Sequence, residues 1–294
     1  MILSVYNIEK KRKKKHSVPF GKAIGYTLLC AVGLFYLAPL LWLMDVSFRP
    51  QYEIFAVPPA LFQKVPWETF NTYTLEAFKG ALKYEVPLSV FNSAFLCVAG
   101  ITAMLLVVSW AAYGFACMNF PGKNFLFWVI IGTMMLPSAT MLAPFYRTMR
   151  MLGLIDSLWG LVLLYSASAY GFFLLRQYII RLPMSLMEGA SIDGANRFQI
   201  WWHIILPLSK PALAALAILQ FRGIWNDFLT PMILLKSDKF FTIPIKLQYI
   251  DSFVVNRRYD VIMATGLIGI LIPVIFFLIF QRQFVEGLSG GVKG

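Results

Sequence analysis

Long apolar stretches separated by short polar segments make up most of the chain. An α-helix rises about 1.5 Å per residue, so about 20 apolar residues cross the hydrocarbon core of a bilayer. Five charge-free stretches reach that length, and a sixth carries Arg222 and Asp227 but is otherwise apolar. The pattern predicts an all-α integral membrane protein with six transmembrane helices, at Ile24–Met44, Leu88–Phe120, Phe125–Tyr146, Leu158–Leu175, Pro211–Leu229 and Val261–Phe280.

The composition favours the same class of protein. Apolar residues are 59% of the 294 and charged residues 14%, against roughly 45–50% and 25% in soluble domains. Cys30, Cys97 and Cys117 lie in predicted helices at unrelated spacings, which favours neither a disulfide framework nor a metal site. With two histidines in the chain, a zinc enzyme is also disfavoured, and the sequence predicts no catalytic residue.

The basic residues predict the orientation, because segments rich in Lys and Arg stay in the cytoplasm. With the N-terminus inside, 14 basic residues are cytoplasmic and 11 external; without the run Lys10–Lys15 the count is 8 to 11. That run precedes the first helix, so we interpret it as a topology anchor rather than a nucleic-acid site. The apolar stretch behind it is too long for a signal peptide. We therefore expect a multi-pass protein of a bacterial-type inner membrane with both termini cytoplasmic.

This orientation assigns each segment between the helices to one side of the membrane. The predicted divisions are a cytoplasmic tail at 1–22, a first helix at 23–48, an external loop at 49–87, a core of five helices at 88–280 and a cytoplasmic tail at 281–294. Two connections in the core, the inner loop (176–210) and the outer loop (230–260), have features of their own.

The inner loop carries signals for two short helices. Ser185 and Glu188 have the spacing of a capping box, Pro183 prevents an earlier start, and Gly194 suits a left-handed helix end after Asp193. A second helix is predicted from Asn196 and ends at Leu206-Pro207. Its apolar face is formed by Phe198, Trp201, Trp202 and Ile205. On these residues alone, an interfacial amphipathic element that seats the bundle is an equal alternative.

The same loop resembles a known signature. Glu188-Gly189-Ala190, three residues, Gly194, nine residues, Ile204, one residue and Leu206-Pro207 resemble the EAA-x3-G-x9-I-x-LP motif in permease subunits of binding-protein-dependent ABC importers. Gly189 departs from the family's usual Ala. Further segments resemble the carbohydrate branch, the maltose-type second permease subunit: Phe91-Asn92-Ser93, Leu136-Pro137 through Tyr146, Trp225-Asn226-Asp227-Phe228, and Gln281 to Leu288 with Val292-Lys293-Gly294.

The resemblance implies a type I ABC importer permease fold whose inner loop contains a coupling helix. This helix would dock on an ATPase subunit through Glu188, Gly189, Ala190, Asp193, Gly194, Ile204, Leu206 and Pro207. It also implies two ATPase subunits, which bind ATP and Mg, a second and different permease subunit, an external solute-binding protein and a saccharide substrate. This chain would hold no cofactor, and it contains no GxxxxGK[ST] phosphate-binding motif.

Polar residues at membrane depth are candidates for a substrate path. Arg222 lies about 16 Å into the fifth predicted helix, with Trp225 and Asn226 on the same face. These types suit a neutral sugar, and the Arg also suits an anionic saccharide such as a uronate oligomer; an Arg paired within the bundle is the alternative. Interhelical hydrogen bonding explains the remaining candidates equally well: Asn92, Ser93, Ser166, Ser168 and Tyr170.

The outer loop is basic, with Lys236, Lys239, Lys246, Arg257 and Arg258. It is either a solvated surface or, by resemblance, the contact with the binding protein. The tail from Glu286 either reaches the ATPase or ends as a frayed terminus. Competing functions are an importer permease for polyamines or amino acids, an ion-coupled secondary transporter, which needs intramembrane carboxylates, and a membrane-embedded enzyme.

Overall fold

The computed structural model describes residues 20–54, 73–253 and 257–289. The Lys10–Lys15 run, much of the loop 49–87, residues 254–256 and the last five residues lie outside the described residues. The described chain is helical, with short 3₁₀ turns at Ser138–Met141 and Asp238–Phe240. The helices are α1 Phe20–Ser47, α2 Gln51–Ile54, α3 Glu76–Lys83, α4 Val86–Cys117, α5 Lys123–Thr133, α6 Leu142–Met151, α7 Leu158–Tyr165, α8 Ala169–Ile179, α9 Met184–Ile192, α10 Arg197–Ile200, α11 Leu206–Leu208, α12 Lys210–Trp225, α13 Leu229–Leu234, α14 Ile243–Phe253 and α15 Tyr259–Ser289.

The chain divides into two compact units after Asp45. In its described part the first unit is α1 up to that residue, and this helix contains an apolar window of spanning length from Ile24. The second unit holds the remaining helices and the candidate sites described below.

Six spans are present when each bent helix pair counts as one, as the sequence predicts. Three helices are long and apolar enough to cross a bilayer alone: α1, α4 and α15. The other three spans are pairs bent by 104°, 41° and 76°: α5 with Ser138–Met151, α7 with α8, and Arg197–Leu208 with α12. The third and fourth spans are predicted as uninterrupted stretches, so their breaks are a correction, whereas the 76° bend lies ahead of the predicted fifth span Pro211–Leu229.

Proline and serine account for the breaks. Pro137 has no backbone N–H and precedes the turn Ser138–Met141, so the third span cannot continue through it. Ser168 starts α8 by accepting a hydrogen bond from the Gly171 N–H at 3.0 Å. The fifth predicted span ends at Trp225 rather than Leu229, and Asn226 is its C-cap.

The core of the second unit lies around α4. One half of α4 packs on α8 and the inner loop through Met104, Val108 and Tyr113. The other half packs on α7, α12 and the outer loop through Leu96 and Cys97. Large apolar side chains elsewhere are exposed, as expected for surfaces covered by lipid or by other subunits: Phe125, Leu126, Trp128, Phe277, Leu278 and Ile279.

Candidate functional site

The inner loop presents α9 as an exposed tip. Of its residues only Met187 is buried, whereas Glu188 is exposed and Ile192 is 86% exposed. The helix closes on Gly194, whose φ of 84° is left-handed, as predicted. The Ala195 N–H donates to the Ala190 carbonyl and the Gly194 N–H to the Ser191 carbonyl, which together form a Schellman motif.

The capping boxes are distributed differently from the prediction. Pro183 occupies the N-cap of α9, so Ser185 already lies in the first turn and no side chain caps this helix. The predicted box at Ser185 and Glu188 is therefore wrong. A complete box forms instead at α10, where Asn196 and Gln199 exchange hydrogen bonds of 2.8 and 2.9 Å. The predicted start of the second helix at Asn196 is confirmed.

Below the tip, the loop is anchored in the bundle by an aromatic side chain. Trp201 is 5% exposed, and its indole N–H donates to the hydroxyl of Ser109 on α4 at 3.3 Å. Its ring meets the ring of Trp110 edge to face at 5.0 Å between centroids. Ile205 is also fully buried, but Phe198 and Trp202 are largely exposed, so half of the predicted apolar face faces outward.

A wide helical turn connects this anchor to α12. Residues Trp201–Ile205 form a π-helical turn just before Pro207, which lacks the N–H that a regular turn would use. The chain bends by 76° between Leu208 and Lys210, at the buried Ser209. The sequence predicts that the second loop helix ends at Leu206-Pro207. The bend lies two residues beyond that pair. Ile204 and Leu206 pack partly against the α4 core.

On the other side of the bundle, α4 holds the outer loop through polar side chains. Asn92 is buried, and its amide donates to the carbonyls of Lys239 and Phe241 at 2.9 and 3.0 Å. The Ser93 hydroxyl accepts the Ile243 N–H at 2.9 Å. Both side chains are therefore committed to the outer loop rather than open to a substrate path.

Asp156, which the sequence analysis did not single out, is a second support of the outer loop. It lies in the turn between α6 and α7 with a left-handed φ of 58°. Its carboxylate accepts the N–H groups of Lys236 and Ser237 at 2.8 Å and the Ser237 hydroxyl, and its own N–H donates to the Leu234 carbonyl. Partial burial opposes ionisation, but the hydrogen bonds from Ser237 and Lys236 outweigh it and lower the pKa of this carboxyl.

The five predicted cations of the outer loop fall into two groups. Lys246 is 1% exposed and bonds the Asp238 carboxylate, and Arg258 forms a two-pronged ion pair with Asp260 at 2.9 and 2.7 Å. Burial removes Lys246 from any direct contact with an external protein. The exposed cations are Lys236, Lys239 and Arg257.

The predicted cluster on α12 is divided by the fold. Arg222 and Asn226 are exposed and border a cavity of about 270 Å³ with Phe221 and Pro273, among others. Trp225 is buried, its indole N–H donates to the Gly269 carbonyl at 3.1 Å, and Phe221 stacks on its ring. The structure therefore does not bring Trp225 to the surface that Arg222 and Asn226 share.

A different polar group lies on another face of α12. The Tyr165 hydroxyl donates to the Asp227 carboxylate at 2.9 Å, and Gln220 and Thr230 line the same cavity of about 470 Å³. The sequence places Asp227 in the fifth apolar stretch and in a segment that resembles the carbohydrate branch, but assigns it no role, and it does not identify Tyr165, Gln220 or Thr230. A polar spacing from Gln220 to Asp227, seven residues apart on one helix face, was the available signal.

The remaining candidates have local roles or stand apart. The Ser166 hydroxyl donates to the Leu163 carbonyl at 2.7 Å, and Ser168 caps α8. Tyr170 is half exposed near the start of α8. Across the part of the chain that the structure describes, no group of three His, Cys, Asp or Glu residues is placed to hold a metal ion.

Comparisons with known proteins point to transport. The model of the family described as "Binding-protein-dependent transport system inner membrane component" matches residues 104–290. The arabinooligosaccharides permease protein AraQ of Bacillus subtilis is 36% identical over 95% of this chain and 99% of its own length. The galactooligosaccharides permease protein GanQ of the same species is 32% identical, covering 92% and 94%. The sn-glycerol-3-phosphate permease protein UgpE of Rhizobium meliloti is 30% identical, covering 92% and 96%.

One solved structure has a similar fold throughout. A chain of a bacterial ABC transporter involved in import of the acidic polysaccharide alginate superposes with a TM-score of 0.78 at 23% identity, covering 96% of this chain and all of its own. A chain from the alginate transporter in complex with an alginate-bound periplasmic protein gives a TM-score of 0.57 at 15% identity, covering 90% and 96%.

Proposed function

The chain belongs to the inner membrane components of binding-protein-dependent transport systems, and we propose that it is one of two pore-forming subunits of an ATP-driven carbohydrate importer. Two relatives are named for oligosaccharide transport, which supports the carbohydrate class; one is named for a glycerol phosphate. Two partner ATPase subunits bind ATP and Mg and perform the hydrolysis, and this subunit contributes no catalytic residue. Both termini lie in the cytoplasm.

The observation that carries the proposal is the shape of the inner loop, an exposed tip on a buried anchor. We assign α9 to a groove of an ATPase subunit, with Glu188 as the charged contact and the exposed Ile192 as an apolar contact. Large apolar side chains exposed on α9, a short helix in a polar loop, support a protein partner at this surface. The rigid Schellman end at Gly194 keeps the tip in one orientation.

The anchor suits transmission of movement to the pore. A displacement of α9 passes through Trp201 to Ser109 on α4, and through the bend at Ser209 to α12. Packed side chains transmit displacement because they have no free volume to absorb it. Closure of the two ATPase subunits would in this way move α4 and α12 together.

The exposed face of Arg222 supports a second permease subunit. An Arg at bilayer depth that faces lipid costs roughly 2.5–3.5 kcal/mol or more, so a polar partner at this face is strongly favoured. We assign Arg222 and Asn226 to that subunit contact. Arg222→Ala is then expected to lower recovery of the second permease; full assembly with loss of saccharide transport would return Arg222 to the substrate path.

The external binding protein would meet the exposed cations of the outer loop, Lys236, Lys239 and Arg257. Lys246 and Arg258 support this surface indirectly through their carboxylate partners, Asp238 and Asp260. Complementary charge at such a contact accelerates association and makes it sensitive to salt.

The test is ATP hydrolysis by the assembled importer in proteoliposomes with its binding protein. Glu188→Ala is expected to lower the stimulated rate severalfold. The control is Glu76→Ala, which removes an exposed carboxylate on α3 and should leave the rate unchanged. Recovery of the chain without any ATPase subunit, or equal stimulation in both variants, would overturn the coupling role. Stoichiometric recovery of the ATPase also excludes an ion-coupled secondary transporter.

A further inference from the structure

One cavity of the second unit lies where the breaks of two spans meet the end of α12. It has a volume of about 470 Å³, within the range of small-molecule sites. The turn at Ser138 follows the break in the third span, Tyr165 ends α7 at the break in the fourth, and Asp227 follows the end of α12. Irregular backbone at membrane depth is tolerated where it is buried in protein or lines a water-filled space. Here the two breaks line a cavity, and polar side chains reach it among apolar ones.

The cavity and Arg222 occupy different faces of α12. Gln220 and Gly223 line the cavity, and Asp227 continues their row just past the helix end. At 100° per residue, Arg222 projects about 130° and Asn226 about 90° away from the middle of that row, and both border the other cavity. The negative side chain therefore lies at one site and the positive side chain at another.

The carboxylate of Asp227 has capacity left for a ligand. Tyr165 donates its hydroxyl proton to Oδ2 at 2.9 Å, and the Thr230 N–H donates to Oδ1 at 3.2 Å. A carboxylate offers about four acceptor positions, so about two remain. These two bonds fix the orientation of the carboxylate, and hydroxyl donors of a ligand can occupy the remaining positions without rearrangement.

The other walls fit a sugar ring. Phe145 contributes an aromatic ring, on which the C–H face of a saccharide can stack, and Gln220 contributes a side-chain amide. Gly223 leaves its wall open, because a Cβ built there meets no atom within 4 Å. The lining residues of this cavity include a carboxylate and hydrogen-bonding groups but no Lys or Arg side chain. This combination suits a neutral polyol and disfavours an anion.

From this juxtaposition we propose that the cavity bounded by Phe145, Tyr165, Gln220, Gly223, Asp227 and Thr230 is a subsite for a neutral saccharide on the translocation path. Asp227, oriented by Tyr165, accepts hydrogen bonds from sugar hydroxyls and repels the carboxylates of acidic saccharides. The proposal rests on the proposed importer function, and it selects the neutral class over the uronate class that Arg222 alone would favour.

The experiment measures uptake by the complete importer, with its ATPases, second permease and binding protein, in proteoliposomes. The probes are radiolabelled neutral pentose and hexose trisaccharides and, in parallel, uronate trisaccharides. The wild type is expected to import a neutral probe and no uronate probe. Asp227→Asn removes the negative charge and is expected to lower neutral uptake at least tenfold, because a hydrogen bond to a charged group is lost at the site.

A size change at Gly223 tests the same cavity without touching a charge. Gly223→Leu fills the open wall and is expected to block uptake. Gly33→Leu on α1, where a Cβ also meets nothing within 4 Å, controls for the general effect of a leucine in an apolar helix. Stimulated ATP hydrolysis and co-purification verify that each variant assembles.

The outcomes separate this proposal from the one on which it rests. Wild-type uptake in both Asp227→Asn and Gly223→Leu, with normal assembly, overturns the subsite and leaves the importer function intact. Efficient import of uronate probes by the wild type overturns the neutral selectivity. Stimulated ATP hydrolysis with no saccharide imported at all overturns the carbohydrate class itself, and the subsite with it.

Discussion

The inner loop and the outer loop are both fixed against α4, but by different kinds of contact. The inner loop is anchored by large apolar side chains, chiefly Trp201 and Ile205. The outer loop is held by polar side chains that bond its backbone: Asn92 and Ser93 on α4, with further support from Asp156 in the turn between α6 and α7. Because Trp201 is packed tightly against α4, a movement of the inner loop moves α4 with it, which suits a lever. Backbone hydrogen bonds from several elements fix a surface in place, which suits a docking platform.

The largest expected effect comes from removing the inner anchor. Trp201→Ala deletes a buried indole and its bond to Ser109, and such a truncation costs about 3–5 kcal/mol. We expect a lower thermal midpoint of the purified complex and loss of stimulated ATP hydrolysis. Trp202→Ala is the matched control, because Trp202 is 48% exposed and its loss costs less than about 1 kcal/mol. Equal effects of the two substitutions would contradict the anchor.

The outer loop is expected to respond to Asp156→Ala. The change removes the acceptor of two backbone N–H groups and a hydroxyl, and it places Ala at a left-handed φ, for a total of about 2 kcal/mol. Hydrogen exchange at Lys236 and Ser237 should accelerate, while exchange in α9 stays as in the wild type. Asp251→Ala, in α14 of the same loop, is the control. Unchanged exchange at Ser237 in the Asp156 variant would refute the role.

Two glycines in the inner loop sharpen the comparison, because both have open space at the Cβ position but they differ in backbone conformation. Gly194→Ala forces a side chain into a left-handed position and is expected to cost about 1–2 kcal/mol and reorient α9. Gly189→Ala lies in regular helix with open space around its Cβ position and restores the residue usual in the family. It should stabilise α9 by up to about 1 kcal/mol. Stimulated ATP hydrolysis should fall only in the first variant; a fall in both would mean that small size, not conformation, matters.

The difference between the loops also explains what the sequence could predict. Gly194 closing α9 and Asn196 opening α10 are signals within a few residues, and both predictions are confirmed. The prediction of a capping box at Ser185 is also local but is wrong, because Pro183 occupies the N-cap two residues earlier. The supports of the outer loop depend on contacts between residues 80 to 150 positions apart, such as Asp156 with Lys236 and Asn92 with Lys239. No local pattern encodes such pairs.

The membrane helices show the same limit. Hydrophobicity over about 20 residues predicted six spans and their approximate positions, because the bilayer thickness imposes that length. It did not predict that the third and fourth spans are broken, since a break at Pro137 or Ser168 changes composition very little. The cavity beside Asp227 forms at those breaks. Its lining was therefore missed for the same reason that the bends were.

The smallest effect is the dependence of the outer loop on pH. The pKa of Asp156 is lowered in the folded protein, so its ionised form contributes stability above the ordinary pKa of about 3.9, and that contribution disappears as pH falls through the lowered value. The free energy of unfolding of the wild type, measured by thermal unfolding, should therefore exceed that of Asp156→Asn by a constant amount, about 1 kcal/mol or less, between pH 5 and 8. The difference should vanish in stronger acid. The contact of Trp201 with Ser109 contains no titrating group, so the corresponding difference for Trp201→Ala should persist there. A difference at Asp156 that survives in acid would show that geometry, rather than charge, makes this carboxylate hold the outer loop.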